Sequence, residues 1–228
     1  MNNILLIIVG ASGGGKSTII NNILRSDSQK FKRVSTYTTR HPRTGENNGE
    51  QYQFITAEEF LKLQKQDKLL ACSKVEDYYY GAPKIDMDKE EYANKCLLID
   101  IGARGAKEIK QEYPNSICVY IIPPTEEQLS SQMQGRSSHR NERNRRQIEE
   151  AKSICDFLVI NKDVQQATEE IKLITAILQR YTKAKGTLVG NDLDFLYGRS
   201  FYNVYNRKFL SNFFSEDLQQ VKESIGGR

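Results

Sequence analysis

Six consecutive apolar residues, Ile4 to Val9, lead into Gly10-Ala11-Ser12-Gly13-Gly14-Gly15-Lys16-Ser17-Thr18 and then into Ile19-Ile20-Asn21-Asn22-Ile23-Leu24. An unbroken apolar run of that length reads as a strand buried on both faces, and apolar residues at 19, 20, 23 and 24 share one face of a helix. Further apolar runs predict strands at 95–99, 117–122 and 157–160. Helical spacing predicts helices at 57–66, 104–112, 126–134 and 164–179. Strands alternating with helices define an α/β fold, a parallel sheet flanked by helices. Between the first helix and the second long strand lies a polar segment, 33–81, rich in Thr, Arg, Gly and Tyr. It is expected to be an inserted substrate arm.

The glycine-rich turn carries the chemistry. A strand, a glycine turn closed by Lys-Ser and a following helix form the phosphate-binding loop of nucleotide kinases and NTPases. Gly10, Gly13, Gly14 and Gly15 allow successive backbone N–H groups to turn inward around phosphate oxygens. Ser12 and Thr18 complete the predicted ATP-binding set. Lys16 brings a point charge to the β and γ phosphates, and the Ser17 hydroxyl suits Mg²⁺. The positive end of the helix beginning near Lys16 adds to the anion site.

A chain of 228 residues suits one α/β domain with an appendage. Its net charge of +4 is too small to argue for nucleic acid. Arg136, Arg140, Arg143, Arg145 and Arg146 crowd together but without interleaved aromatic residues, so no nucleic-acid partner is expected. Cys72, Cys96, Cys118 and Cys155 form no C-x-x-C and read as reduced residues of a cytoplasmic protein. The opening apolar run is too short for a membrane span and lacks the basic flank of a secretory signal.

The insertion carries a denser pattern. Val34-Ser35-Thr36-Tyr37-Thr38-Thr39-Arg40-His41-Pro42-Arg43-Thr44-Gly45-Glu46 leads through Gly49 to Tyr52-Gln53-Phe54, and later to Tyr78-Tyr79-Tyr80-Gly81. In register with the phosphate loop, this resembles the guanylate kinase family over residues 4 to about 177. The resemblance implies a P-loop NTPase fold with an acceptor-binding arm and a mobile lid, residues 135–150, within a domain spanning 1–182. It implies ATP and Mg²⁺ as cofactors and a nucleoside monophosphate, GMP or dGMP, as acceptor. Arg40, Arg43, Tyr52 and Tyr80 would clamp the acceptor phosphate, since guanidinium forks and phenol hydroxyls fix phosphate oxygens. Tyr79 is expected to pack. Asp100 matches the first Asp of the family's D-x-D and would hold Mg²⁺ through water or face the acceptor. Arg136 and Arg146 match lid arginines that would neutralise the transferring group. Asn161 matches a position near the donor adenine.

The departures from the pattern fall on the base-reading side. Thr36 keeps the hydroxyl expected to read guanine, but Ala71 stands in place of the usual Glu, ten residues before Gly81. Gly102 replaces the second Asp of D-x-D, Arg104 the following Gln, and Ala82 a common Ser. Glu76 or Asp77 would be the substitute carboxylate within the arm. The same departures resemble ribose 1,5-bisphosphate phosphokinases, an alternative reading beside a kinase for another or modified nucleotide. A catalytically inactive guanylate-kinase-like binding module is the reading from a different class, opposed by the joint presence of Lys16, Ser17, Arg40, Arg43 and Asp100.

Residues 183–228 change character. Phe201, Tyr205, Phe209 and Phe213 recur every four residues, which aligns them along one helix face. This aromatic extension is expected to dock on its own domain or to form a homodimer contact.

Overall fold

The computed structural model describes residues 3–10, 14–122 and 154–183. The predicted helix at 126–134, the lid at 135–150 and the aromatic extension beyond Lys183 lie outside the described residues, as do Ser12, Gly13, Arg136 and Arg146.

Strand β1 (Ile4–Gly10) sits at the centre of a five-stranded sheet. Its neighbours are β7 (Cys96–Asp100) and β8 (Ile117–Ile122); β2 (Phe31–Arg33) and β9 (Phe157–Ile160) form the edges, in the order β2-β7-β1-β8-β9. Every pairing in this sheet is parallel. Ile4, Leu6 and Ile8 point into one core and Leu5, Ile7 and Val9 into the other, so helices cover both faces. The first core packs Ile19, Ile20 and Ile23 of α1 (Lys16–Ser26) with Ile171, Ile174, Ile177 and Leu178 of α4 (Val164–Lys183). The second takes Ala103, Ala106 and Ile109 of α3 (Ala103–Glu112). No described helix is long and apolar enough to cross a membrane.

The strands predicted at 117–122 and 157–160 are found with those bounds, and β7 begins one residue later than expected. Helix α4 runs past the predicted end at 179 to Lys183. All four cysteines are free thiols, and Cys118 and Cys155 meet in the core with their sulfurs 2.9 Å apart.

The arm folds into a second sheet in the order β4-β3-β6-β5, formed by β3 (Thr36–Thr38), β4 (Tyr52–Phe54), β5 (Leu69–Val75) and β6 (Tyr78–Pro83). Helix α2 (Ala57–Lys65) crosses its back. Thr56 starts this helix by accepting from the Glu59 N–H while the Glu59 carboxylate accepts from the Thr56 N–H. The Phe60 ring stacks on Tyr79, with centroids 5.3 Å apart, which makes Tyr79 a packing residue. Strand β5 leans on α3, so the arm rests against the same helix that covers the main sheet.

At the end of the main sheet remote from the phosphate loop, buried Asp156 accepts from the Cys118 N–H at 2.7 Å and pairs with Lys110. Burial raises the Asp156 carboxyl to about 6, against the pull of Lys110, whereas an unfolded Asp titrates near 3.8. Between about pH 4 and 6 the native state therefore holds more protons than the unfolded chain, and this group lowers stability as pH rises through that window. Asp156→Asn is expected to gain thermal midpoint relative to the wild type as pH rises from 4 to 6, whatever the slope set by the other carboxylates; a constant difference between the two proteins across that window would refute the assignment.

Candidate active site

The carboxyl ends of β1, β7 and β9 bring Gly10, Gly14, Lys16, Asp100 and Asn161 together. Gly10 ends β1 opposite Ile121 of β8, and a Cβ there would lie 2.7 Å from the Ile121 carbonyl oxygen. Only glycine lets the chain leave the sheet at this point. Gly15, with φ +84°, is the N-cap of α1, and the first turn carries no acidic residue and no side-chain cap. A helix N-terminus free of acidic side chains is the kind of place that favours an anion. Lys16 folds back to donate to the Gly10 carbonyl at 3.0 Å, and Ser17 and Thr18 stand exposed in the same turn.

Asn161 follows β9 and closes the loop from the side. Its Nδ2 donates to the Gly14 carbonyl at 2.9 Å, while its Oδ1 is buried without a hydrogen-bond partner. That acceptor is open to a donor group on a ligand.

Asp100 ends β7, opposite Ile8. Burial raises its carboxyl above the usual range, opposed by the positive charges of Lys16 and Arg33. No group of three or more His, Cys, Asp or Glu side chains able to hold a metal occurs among the described residues. A divalent cation here would rely on Ser17, Asp100, water and substrate phosphates, a donor set that suits Mg²⁺.

The arm contributes one face of its sheet. The register pairs Thr36 with Tyr52, Thr38 with Phe54 and Thr38 with Tyr80, and paired residues project on the same side. Tyr52 and Tyr80 meet edge to face at 6.3 Å. The Arg40 guanidinium lies 4.9 Å from the centre of the Tyr52 ring and 5.4 Å from that of Phe54. Arg40 is buried, and Glu46 grips it with two hydrogen bonds of 2.6 and 2.7 Å. That grip raises the Arg40 pKa further and lowers that of Glu46, so both stay ionised. Glu46 also accepts from the Arg43 N–H at 2.8 Å, tying the turn that carries Arg43 to the clamp, although the Arg43 side chain is exposed. Burial raises the Tyr52 phenol, and Asp100 adds to the shift. The phenol therefore stays protonated and able to donate.

Two residues of this site were not anticipated. Glu46 belonged to the motif without a role; its acid three residues after Arg43 is the only local sign of a brace. Arg33, at the end of β2, places Nη2 3.9 Å from Asp100 and Nη1 3.3 Å from Asn21 Oδ1. Sequence alone does not reveal that the ends of β2 and β7 lie side by side.

Ala71 stands in a bulge where the β5–β6 register shifts, with φ +53°, and is buried together with Ala82. A Cβ at Gly105 would lie 3.1 Å from the Ala71 methyl and 2.6 Å from Ile101 Cδ1. The position of the expected acid is thus an apolar contact between arm and α3. Glu76 and Asp77 lie exposed at the hairpin tip between Val75 and Tyr78, roughly 15 Å along the strand from Ala71 at about 3.3 Å per residue.

A central parallel strand ending in a glycine cradle, with an arm of cations and phenols facing it, defines a P-loop phosphotransferase. The sequence model of guanylate kinase matches residues 2–178. A guanylate kinase of Caldanaerobacter subterraneus is 33% identical over 177 residues, 75% of this chain and 85% of its own. One from Synechocystis is also 33% identical over 177 residues, 75% of this chain and 92% of its own. The crystal structure of guanylate kinase from Anaplasma phagocytophilum shares the fold, with a TM-score of 0.62 at 20% identity over 92% of this chain and 94% of that one. This chain belongs to the guanylate kinase family, whose members are nucleoside monophosphate kinases.

Gly15→Ala would place a methyl 2.3 Å from Asn161 Nδ2 as well as forcing a left-handed alanine. It is expected to lower the thermal midpoint, and Gly15→Ala/Asn161→Ala to recover the steric part while retaining a backbone cost of about 1–2 kcal/mol. Additive losses in the double-mutant cycle would contradict the contact.

Proposed function

We propose that this chain transfers the γ-phosphate of ATP to a nucleoside monophosphate, GMP or dGMP. The observation that carries the reading is the convergence of the α1 N-terminus and Asp100 with the arm face bearing Thr36, Arg40, Tyr52 and Tyr80. The Gly10–Thr18 loop, including Ser12 and Gly13, holds the donor phosphates, with Lys16 beside them and Asn161 at the nucleoside side. Ser17 and Asp100, the latter through water, would hold Mg²⁺, which when bound neutralises charge on the phosphates. Arg40, Arg43, Tyr52 and Tyr80 orient the acceptor phosphate, with Glu46 keeping Arg40 in place. Arg136 and Arg146 are assigned to the lid from the family pattern, where they add charge over the transferring group and exclude water. Positioning and charge placement supply most of the rate, with no covalent enzyme intermediate.

A second reading has its own support. Ala71, in apolar contact with α3, stands at the position of the carboxylate the family pattern uses to read guanine, which favours an acceptor without a base, such as ribose 1,5-bisphosphate.

ADP release from MgATP is to be measured with GMP, dGMP, AMP, UMP, dTMP and ribose 1,5-bisphosphate. GMP or dGMP should support turnover, and Lys16→Ala should reduce it by about 100-fold or more. Turnover restricted to ribose 1,5-bisphosphate would replace this reading with the second one, and wild-type silence with every acceptor would remove both.

A further inference from the structure

We infer that Arg33 is a further acceptor-binding residue, donating from Nη2 to an anionic oxygen of the acceptor's phosphate. Its side chain is 12% exposed, and its Nη2 is buried without a hydrogen bond. A guanidinium withdrawn from water has strong reason to use its donors, so a spare buried donor at a site edge marks the place of a missing partner. The backbone fixes where that donor points. Arg33 pairs with Leu98 in the main sheet, and the next residue, Val34, donates to the Leu98 carbonyl at 2.8 Å. Asn21 of α1 steadies the other half of the fork at 3.3 Å.

The surroundings favour the acceptor over the donor nucleotide. The chain runs from Arg33 directly into β3 of the arm, and the titratable groups within its electrostatic reach are Asp100, Tyr52 and Glu50. Tyr52 is itself within reach of Arg40 and Tyr80, so Arg33 borders the clamp. Charge balance gives the physical reason. An acceptor phosphate entering this clamp approaches the Asp100 carboxylate, and two anions in a dry site repel strongly. Arg33 lies 3.9 Å from Asp100 with one donor unspent, which lets a single cation serve both anions. The Arg43 side chain is exposed and Arg40 is gripped by Glu46, so Arg33 adds a buried guanidinium with a donor that makes no hydrogen bond.

The inference rests on the kinase reading above, and the test separates the two. Steady-state kinetics of Arg33→Gln and Arg33→Lys are compared with wild type, using whichever of GMP, dGMP and ribose 1,5-bisphosphate the wild type turns over. Folding is checked by thermal midpoint. Arg33→Gln is expected to raise the acceptor KM about tenfold or more while leaving the MgATP KM within about twofold, and Arg33→Lys to fall between, because it keeps the charge but not the fork. Asn21→Ala, which removes only the brace, should raise the acceptor KM by a smaller factor. Where a variant is folded but too slow to assay, calorimetric titration with the acceptor reads the same loss. An unchanged acceptor KM with reduced kcat would make Arg33 a prop for Asp100 and overturn the inference alone. Absence of wild-type turnover with every acceptor would overturn the kinase reading and the inference with it.

Discussion

The structure depends on the burial of β1 on both faces. Its six apolar side chains alternate between two cores, so a one-residue slip would exchange every contact on both sides of the sheet. The strand is thereby held in register, and Gly10 is delivered to a point where the Ile121 carbonyl leaves no room for a side chain. The phosphate loop inherits its position from hydrophobic packing several residues away. Helix α1 is aimed by the same means, because Ile19, Ile20 and Ile23 lock against α4 while the first turn stays free of acids and side-chain caps. An anion site made from backbone dipoles needs that rigidity, since its donors cannot turn individually toward a ligand.

The arm solves a different problem, which is to keep cations and phenols concentrated without collapse or repulsion. Strand register places Thr36, Thr38, Tyr52, Phe54 and Tyr80 on one face, giving Arg40 two aromatic rings to lie over. Glu46 compensates the buried guanidinium with two hydrogen bonds and holds the Arg43 turn with a third. A buried ion pair of this kind adds little net stability, because desolvation opposes attraction, but it fixes geometry. The other face packs: the Phe60 ring stacks on Tyr79 and sits close over Gly81, where a Cβ would lie 3.0 Å from its edge.

Much of this was legible in the chain. The strands at 117–122 and 157–160 are continuous apolar runs, and such runs in a parallel sheet announce themselves because both faces are buried. The phosphate loop was readable because its chemistry is local, with strand, turn and helix adjacent in sequence. The arm's four strands were not, since β3 and β4 have three residues each and carry Thr, Tyr and Gln, leaving no periodicity to count. The brace from Glu46 and the approach of Arg33 to Asp100 escaped for a related reason. Each is a contact set by tertiary placement, and 67 positions separate Arg33 from Asp100. Ala71 shows the limit from the opposite side: its identity departs visibly from the family pattern, but its left-handed backbone and its contact with α3 belong to the fold.

That contact bears on specificity as well as on packing. A carboxylate at position 71 would need a hydrogen-bonding ligand or water, whereas Ala71 here faces Gly105 of α3 within an apolar cluster that Ile101 also joins. Ala71 and Ala82 instead join the apolar core beneath α3, so the arm is anchored more firmly at the place where a base-reading group would otherwise stand. In the proposed reading Arg40, Tyr52 and Tyr80 are assigned to the acceptor phosphate, and Thr36 is the hydroxyl left toward the base. Recognition in that reading would be weighted toward charge and the geometry of the phosphate. Discrimination among bases would then have fewer buried polar groups to leave unpaired when the wrong acceptor enters, and it is such unpaired groups that make rejection strong.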